Sequence, residues 1–347
     1  MKTYLITGGC GFVGSNIASV LIEQGEKVIL LDNLSRVGSS DNLQWLRKLG
    51  HSEFIQADTA DATAMRRAVT ESTPDIVFHL AGQVAMTTSM KDPFGDFSTN
   101  VLGTINLLEA LRLNSPKTAL IYSSSNKVYG SLNGVRLDEG STRYSAPDHL
   151  LGIDENAPLD FRTPYGCSKG SADQYVLEYA RTYGVRTAVF RHSTIYGGRQ
   201  HSTYDQGWVG WFCHQALEQE IKPETQPFTI SGNGKQVRDL LYVEDAVNCY
   251  ISAAKCIEQI TGHAYNIGGG IENSSSLLEL FNFLERKLGI KLRFKNLDWR
   301  YQDQKYFVAD HSKITKITGW SPLISKEKGI LKTLEWVSKL NYQTKST

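Results

Sequence analysis

Cysteine is scarce in this 347-residue chain. Cys10, Cys167, Cys213, Cys249 and Cys256 are odd in number and contain no C-x-x-C pair. Neither a disulfide framework nor a thiolate metal site is expected, and a reduced, cytoplasmic setting is. Charge of one sign is also lacking: 37 basic residues face 36 acidic ones, a net of +1. There is no general field to attract nucleic acid or an anionic membrane, so neither is expected as a partner. An anionic ligand must then be held by a few placed arginines and backbone amides. No apolar run approaches the ~18 residues of a membrane span. The stretch opening at Tyr4 meets Gly8, Gly9, Gly11 and Gly14 before a signal peptide's apolar segment would be complete. The eight histidines show no close ligand spacing, so no metal site is expected. What remains is a chain with 41% hydrophobic residues and 30 glycines, long enough for two domains or one large one.

Short apolar, β-branched runs at 4–7, 27–31, 54–56, 76–80, 119–123 and 187–191 predict buried strands. Helical patterns at 13–24, 61–70, 101–113 and 168–183 alternate with them. That rhythm predicts an α/β fold, a doubly wound parallel sheet with helices on both faces. After Arg191 the pattern changes. Helices are expected at 208–220 and 275–288 and strands at 228–231 and 291–296, among loops punctuated by Pro and Gly. The reading is a nucleotide-binding domain over 1–191, partly completed by about 238–258, and a smaller C-terminal α/β substrate lobe over 192–347.

Directly after the first strand stands Gly8-Gly9-Cys10-Gly11-Phe12-Val13-Gly14, followed by a helix. A diphosphate at a helix N-terminus needs backbone N–H groups with no side chain in the way. Gly8 would allow the tight turn, Gly11 the close approach, and Gly14 the packing of helix on strand. Asp32 ends the second strand, where a carboxylate accepts from the adenosine ribose hydroxyls and repels a 2′-phosphate, so NAD is expected over NADP. Arg36 works against that preference. Asp58 after the third strand is placed either to reach the adenine amino group or to cap the next helix.

The fifth strand ends in Ser123-Ser124-Ser125, and the sheet's carboxyl edge is where such folds bind ligands. Further along, Tyr165 and Lys169 share one face of a helix start. A phenol with a pKa near ~10 is a poor base at neutral pH, and a cation beside it favours the phenolate. A hydroxyl on the neighbouring strand can share the proton and orient a substrate alcohol. This set suits hydride transfer between a carbinol and a nicotinamide. Sixteen tyrosines make one chance Y-x-x-x-K match unsurprising, and Tyr301/Lys305, with no serine strand upstream, is that match.

Taken together, Thr7-Gly8-x-x-Gly11-x-x-Gly14, His79-Leu80-Ala81-Gly82, Asn100-Val101-x-Gly103-Thr104, the serine strand through Tyr129-Gly130, Tyr165-x-x-x-Lys169, Arg191-His192-x-x-x-Tyr196-Gly197, Gly232-Asn233-Gly234 with Arg238-Asp239, and Gly319-Trp320-x-Pro322 resemble the NAD-dependent nucleotide-sugar epimerase/dehydratase family of extended short-chain dehydrogenases/reductases. The resemblance implies a Rossmann-like fold, tightly bound NAD, and Ser125, Tyr165 and Lys169 as the catalytic triad. It places Phe12, Val13, Asn33, Ser35, Leu80, Ala81, Asn100, Ser123 and His192 on the cofactor side. On the substrate side it places Thr87, Asn126, Lys127, Thr194, Arg199, Gln206, Arg238, Arg300 and Asp303, with both arginines on a nucleotide diphosphate. A homodimer or homotetramer follows, since extended members pair through two helices.

Several reactions compete on this scaffold. Family 4,6-dehydratases carry an Asp-Glu pair after the catalytic hydroxyl residue, and here Asn126 and Lys127 stand instead. C4 epimerases have small or neutral residues there and an Asn at the position of Thr194. Segments 83–89, 125–130, 204–213 and 228–239 resemble members that invert C2 of a CDP-linked sugar, which is the reaction expected, with a C4 epimerase next. A ketoreductase that releases its cofactor, and a sensor with a dead site, remain as alternatives. Residues 131–164 are expected to form a lid or interface loop, and the aromatic run Trp208, Trp211, Phe212 to be core or interface.

Overall fold

Every pairing in the main sheet is parallel. The computed structural model describes residues 1–343. Its seven strands run in the order His263–Ile267, Arg186–His192, Ala119–Ser125, Ile76–His79, Thr3–Thr7, Lys27–Asp32, Glu53–Gln56. Strands covered by helices on both faces have no solvent side, which is why they read as unbroken apolar runs. Ile6, Leu30, Phe78, Ile121 and Phe190 pack against the helices Phe12–Glu23 and Val243–Lys255. Their neighbours Leu5, Ile29, Val77, Leu120 and Val189 pack on the other face, where the helices Ala62–Ser72, Gly103–Asn114 and Thr163–Tyr183 lie. Strand order reverses beside Thr3–Thr7, and the crevice at such a switch point is where ligands bind.

The return of the chain to this sheet differs from expectation. Val237–Tyr242 belongs to a second sheet, antiparallel to Ser274–Ser276 and parallel to Thr194–Tyr196 and Tyr306–Phe307. The strand that rejoins the main sheet is His263–Ile267. From the stretch 238–258, the helix Val243–Lys255 packs on the first helix, and the short helix Ile257–Ile260 that follows packs on the strand Arg186–His192. Phe228–Ser231 pairs with Phe294–Leu297 at the edge of the second lobe.

Residues 131–162 are buckled onto this lobe rather than hanging free. Tyr144 N donates to Lys235 O at 3.0 Å and Ile153 N to Val308 O at 2.7 Å. Ser276 Oγ donates to Thr142 O at 2.7 Å. No helix among the described residues is long and apolar enough to cross a membrane.

Candidate active site

The glycine-rich turn is built for a close-fitting ligand. Gly8 sits at φ +67°, where a Cβ would lie 2.7 Å from Ala81 N, and a Cβ on Gly14 would collide with the Gly8 carbonyl oxygen. Gly11 meets only Gly8 O at 3.1 Å and borders open space. That space is a cleft of about 560 Å³ lined by Gly8, Gly11, Phe12, Val13, Asp32, Arg36 and others, reaching from Asp58 to Ser123. Asp32 is buried, and its oxygens accept from Cys10 N at 3.0 Å and Leu34 N at 2.8 Å. Burial raises its carboxyl above the ordinary value against these backbone bonds. With the Gly11 N–H as a third backbone donor, the carboxylate still keeps acceptor capacity for a ribose hydroxyl. A turn closed to a Cβ at Gly8 and Gly14 and open in front of Gly11, leading to a buried acceptor, fits the dinucleotide NAD.

Asn33, Ser35, Asp58, Leu80, Ala81 and Ser123 line the same cleft. Asp58 accepts from Asn33 Nδ2 at 2.8 Å, and it is Asp61 that caps the following helix. Asn100 stands behind the wall. It donates to Ser168 Oγ at 2.9 Å and Gln83 O at 3.1 Å. It lies in a single widened turn, Ser98–Leu102, a feature common at functional sites. Its displaced carbonyl is satisfied by the Thr104 hydroxyl at 2.6 Å.

Ser125 is the last residue of its strand and Tyr165 the third of its helix. Ser123 lines the first cleft, and Asn126 and Lys127, directly after the strand, line a second; the two clefts share Asp205 and Gln206, while Ser125, Tyr165 and Lys169 are buried and line neither. Burial dominates the electrostatics here. It pushes the Tyr165 phenol up to about 12, with the Ser125 hydroxyl pulling the other way. It pulls Lys169 down to about 7, against Asp173 and Asp96. Lys169 Nζ donates to Ser123 O and stands 4.3 Å above the Tyr122 ring. A lysine that holds the phenolate by direct charge is therefore not what the geometry shows; the phenol needs a partner in the cleft to ionise. His192, pulled down to about 4 by burial, is a neutral strut between Ser123 Oγ at 3.3 Å and Tyr250 OH at 3.1 Å.

The second cleft, about 250 Å³, is lined by Asn126, Lys127, Thr194, Gln206, Arg238, Arg300 and Asp303 with Tyr204, Trp208 and Trp211. Asp303 Oδ1 accepts from Arg238 at 3.0 Å and Lys127 at 3.3 Å. Burial alone would raise the Asp303 carboxyl, but Lys127, Arg238 and Arg300 together hold it below its ordinary value. Three cations around one carboxylate leave a net positive pocket suited to a diphosphate. Arg300 donates to Ser231 Oγ at 3.3 Å and stacks over Tyr204.

Arg199, Thr87 and the aromatic run at 208–212 stand elsewhere than expected. Arg199 lines the first cleft, not the second, sandwiched between Trp45 at 4.0 Å and Trp336 at 4.8 Å. Thr87 lines neither cleft. Trp208, Trp211 and Phe212, expected in core or interface, all line the second cleft, where the half-buried Trp208 donates its indole N–H to Thr194 Oγ1 at 3.2 Å. Sequence reasoning did not assign Gln83, Thr88, Ser231 or Gln304 to the site; the first three lie in segments 83–89 and 228–239 that carry the resemblance, and only Gln304 lies in no such segment.

With fold and site in hand, the chain belongs to the NAD dependent epimerase/dehydratase family, whose model matches residues 4–268. It is an NAD-dependent enzyme of that class, and NAD is its cofactor. It is 54% identical over 337 residues, 97% of this chain and 99% of the relative, to CDP-paratose 2-epimerase of Salmonella typhi. A putative UDP-glucose 4-epimerase of Methanocaldococcus jannaschii is 32% identical with the same coverage. The crystal structure of UDP-glucose 4-epimerase with UDP-glucose from Thermotoga maritima superposes with a TM-score of 0.82 at 30% identity, covering 98% of this chain and 99% of that one.

Proposed function

We propose that the protein epimerises CDP-paratose to CDP-tyvelose at C2, by transient oxidation to a 2-keto sugar and return of hydrogen to the opposite face. The observation that carries this is the full-length likeness to the Salmonella typhi enzyme, with Asn126 and Lys127 both on the substrate cleft beside Ser125. Ionised Tyr165 takes the proton of the C2 hydroxyl, and Ser125 holds that oxygen by hydrogen bond. Bound NAD supplies the acceptor for the C2 hydride and gives it back, so no redox equivalent is consumed. Arg238 and Arg300 hold the diphosphate while the sugar turns its other face. Clamping every sugar hydroxyl would forbid that turn; anchoring the diphosphate end permits it. Elimination needs an acid and a base beside Ser125. Asn126 can be neither, and the Lys127 ammonium is tied to Asp303, which favours epimerisation over dehydration.

Substrate deuterated at C2, run in ordinary water, tests this. Return of the label to C2 of the epimer is expected. Loss of label to solvent would mean deprotonation beside a carbonyl, and inversion at C4 with C2 untouched would hand the activity to the C4 epimerases.

We also propose that the protein works in the cytoplasm as a homodimer or a pair of dimers. Five free cysteines suit a reducing compartment. The helices Gly103–Asn114 and Thr163–Tyr183 pack side by side and leave Leu113 63%, Tyr175 46% and Tyr183 53% exposed, a patch of the kind that marks an interface. Light scattering should give a mass of two or four 38.7-kDa chains, and a single-chain mass would overturn the pairing.

A further inference from the structure

We infer that Gln304, a residue of the second lobe, is a positioning residue for the Ser125 hydroxyl and acts through Asn126. The inference rests on the assignment of Ser125 made above. Gln304 is fully buried. Its Nε2 donates to Gly130 O at 2.6 Å and to Asn126 O at 3.3 Å. Its Oε1 accepts from Asn126 Nδ2 at 2.8 Å. Three hydrogen bonds from one side chain thus bracket the short turn Asn126–Tyr129, which follows Ser125 directly.

The directions of these bonds are fixed by chemistry. A carboxamide can be turned either way round, and only its hydrogen-bond partners decide which. Two backbone carbonyls can only accept, so the Gln304 NH₂ must face them and its oxygen must face Asn126. Asn126 must then present its NH₂ to Gln304, leaving Oδ1 toward Ser125 Oγ, 3.4 Å away. Lys127 N donates to the same Ser125 oxygen at 3.2 Å. Besides the Tyr165 oxygen it faces, Ser125 therefore has a fixed backbone donor and one further acceptor for its proton, Asn126 Oδ1. At 3.4 Å that acceptor is weak, so the proton is readily released to a sugar oxygen and readily taken back. This suits a reaction in which the keto sugar leaves Ser125 in order to turn over. A flipped Asn126 would offer Ser125 a donor and no acceptor.

The clamp also links the two halves of the site. Asp303, next in the chain, grips Lys127 and Arg238, and Arg300 lies on the same segment. The stretch that faces the diphosphate is thus the stretch that orients the hydroxyl.

A double-mutant cycle on the NAD-loaded enzyme tests this. Gln304→Leu should lower kcat about 10-fold, the worth of a mis-set hydrogen bond, with KM and NAD content within about 3-fold of the parent. Asn126→Ala should lower kcat similarly, and the double variant no further than the worse single one, because both act on one path. Gln304→Glu keeps the acceptor for Asn126. It should restore kcat at pH values where its buried carboxyl is protonated and lose it as the pH rises, a limb the parent lacks and the Asn126→Ala background abolishes. Should Gln304→Leu fail to fold, that limb alone decides. Parent-like kcat in Gln304→Leu, multiplying effects in the double variant, or no limb in Gln304→Glu would each overturn the inference. Parent-like kcat in Ser125→Ala would instead overturn the assignment beneath it.

Discussion

Tyr165→Phe is expected to lower turnover by ~10²-fold or more, the range a positioned general base contributes, with fold and bound NAD unchanged. The substitution removes one oxygen. The Tyr165 backbone N–H keeps its bond to Ser89 Oγ at 3.1 Å, and the ring keeps its place on a buried helix face. What is lost is the atom that exchanges a proton with the C2 hydroxyl. Single-turnover kinetics on protein with verified NAD content would isolate that step. Turnover within a few-fold of the parent would remove Tyr165 from the mechanism. Tyr301→Phe is the control: its ring is 66% exposed, Lys305 follows it at the same spacing, and no serine strand faces it, so turnover should not change.

The phosphate loop and the six leading strands are legible in the sequence for one physical reason. A strand covered on both faces has no polar side, and the turn positions Gly8 and Gly14, where a Cβ would collide, have no choice but glycine. The same reasoning fails where the deciding partner is remote. Asn126 and Gln304 are 178 positions apart, and neither is unusual alone. Asp303 is expected at the substrate, yet its hold on Lys127 and Arg238 depends on the folded lobe. Strand His263–Ile267 follows a short helix and a turn and lies past the stretch 238–258 expected to complete the first domain. The polar helix Ser39–Leu49 has too few apolar positions to announce itself, though its Trp45 reaches Arg199. The triad itself is legible, but its electrostatics are not, because spacing brings Lys169 near Tyr165 without showing how deeply both are buried.

That burial leads to an opposite pair of outcomes for Lys169→Met: lost activity and gained stability. Turnover should fall by about 10-fold or more, because the amine that fixes the end of the serine strand through Ser123 O is gone. Stability of nucleotide-stripped protein near pH 7 should rise. The folded Lys169 sits at about 7 against an ordinary 10.5, so folding disfavours its charged form. Below pH 7 the folded lysine must carry its charge in the interior, and the penalty is full. Between about 7 and 10.5 only the unfolded chain holds the proton, and the penalty shrinks to nothing as pH rises. With about 1.4 kcal/mol per pH unit, the full penalty is on the order of 5 kcal/mol. Losing the bond to Ser123 O and the contact with the Tyr122 ring offsets part of it, at roughly 1–3 kcal/mol. Denaturant melts of parent and variant at pH 7 and pH 9.5 check both the sign and the trend. The variant should be the more stable at pH 7, and its advantage should narrow at pH 9.5. A variant less stable at pH 7, or an advantage that grows with pH, would show that Asp173 and Asp96 keep this lysine charged in the folded protein.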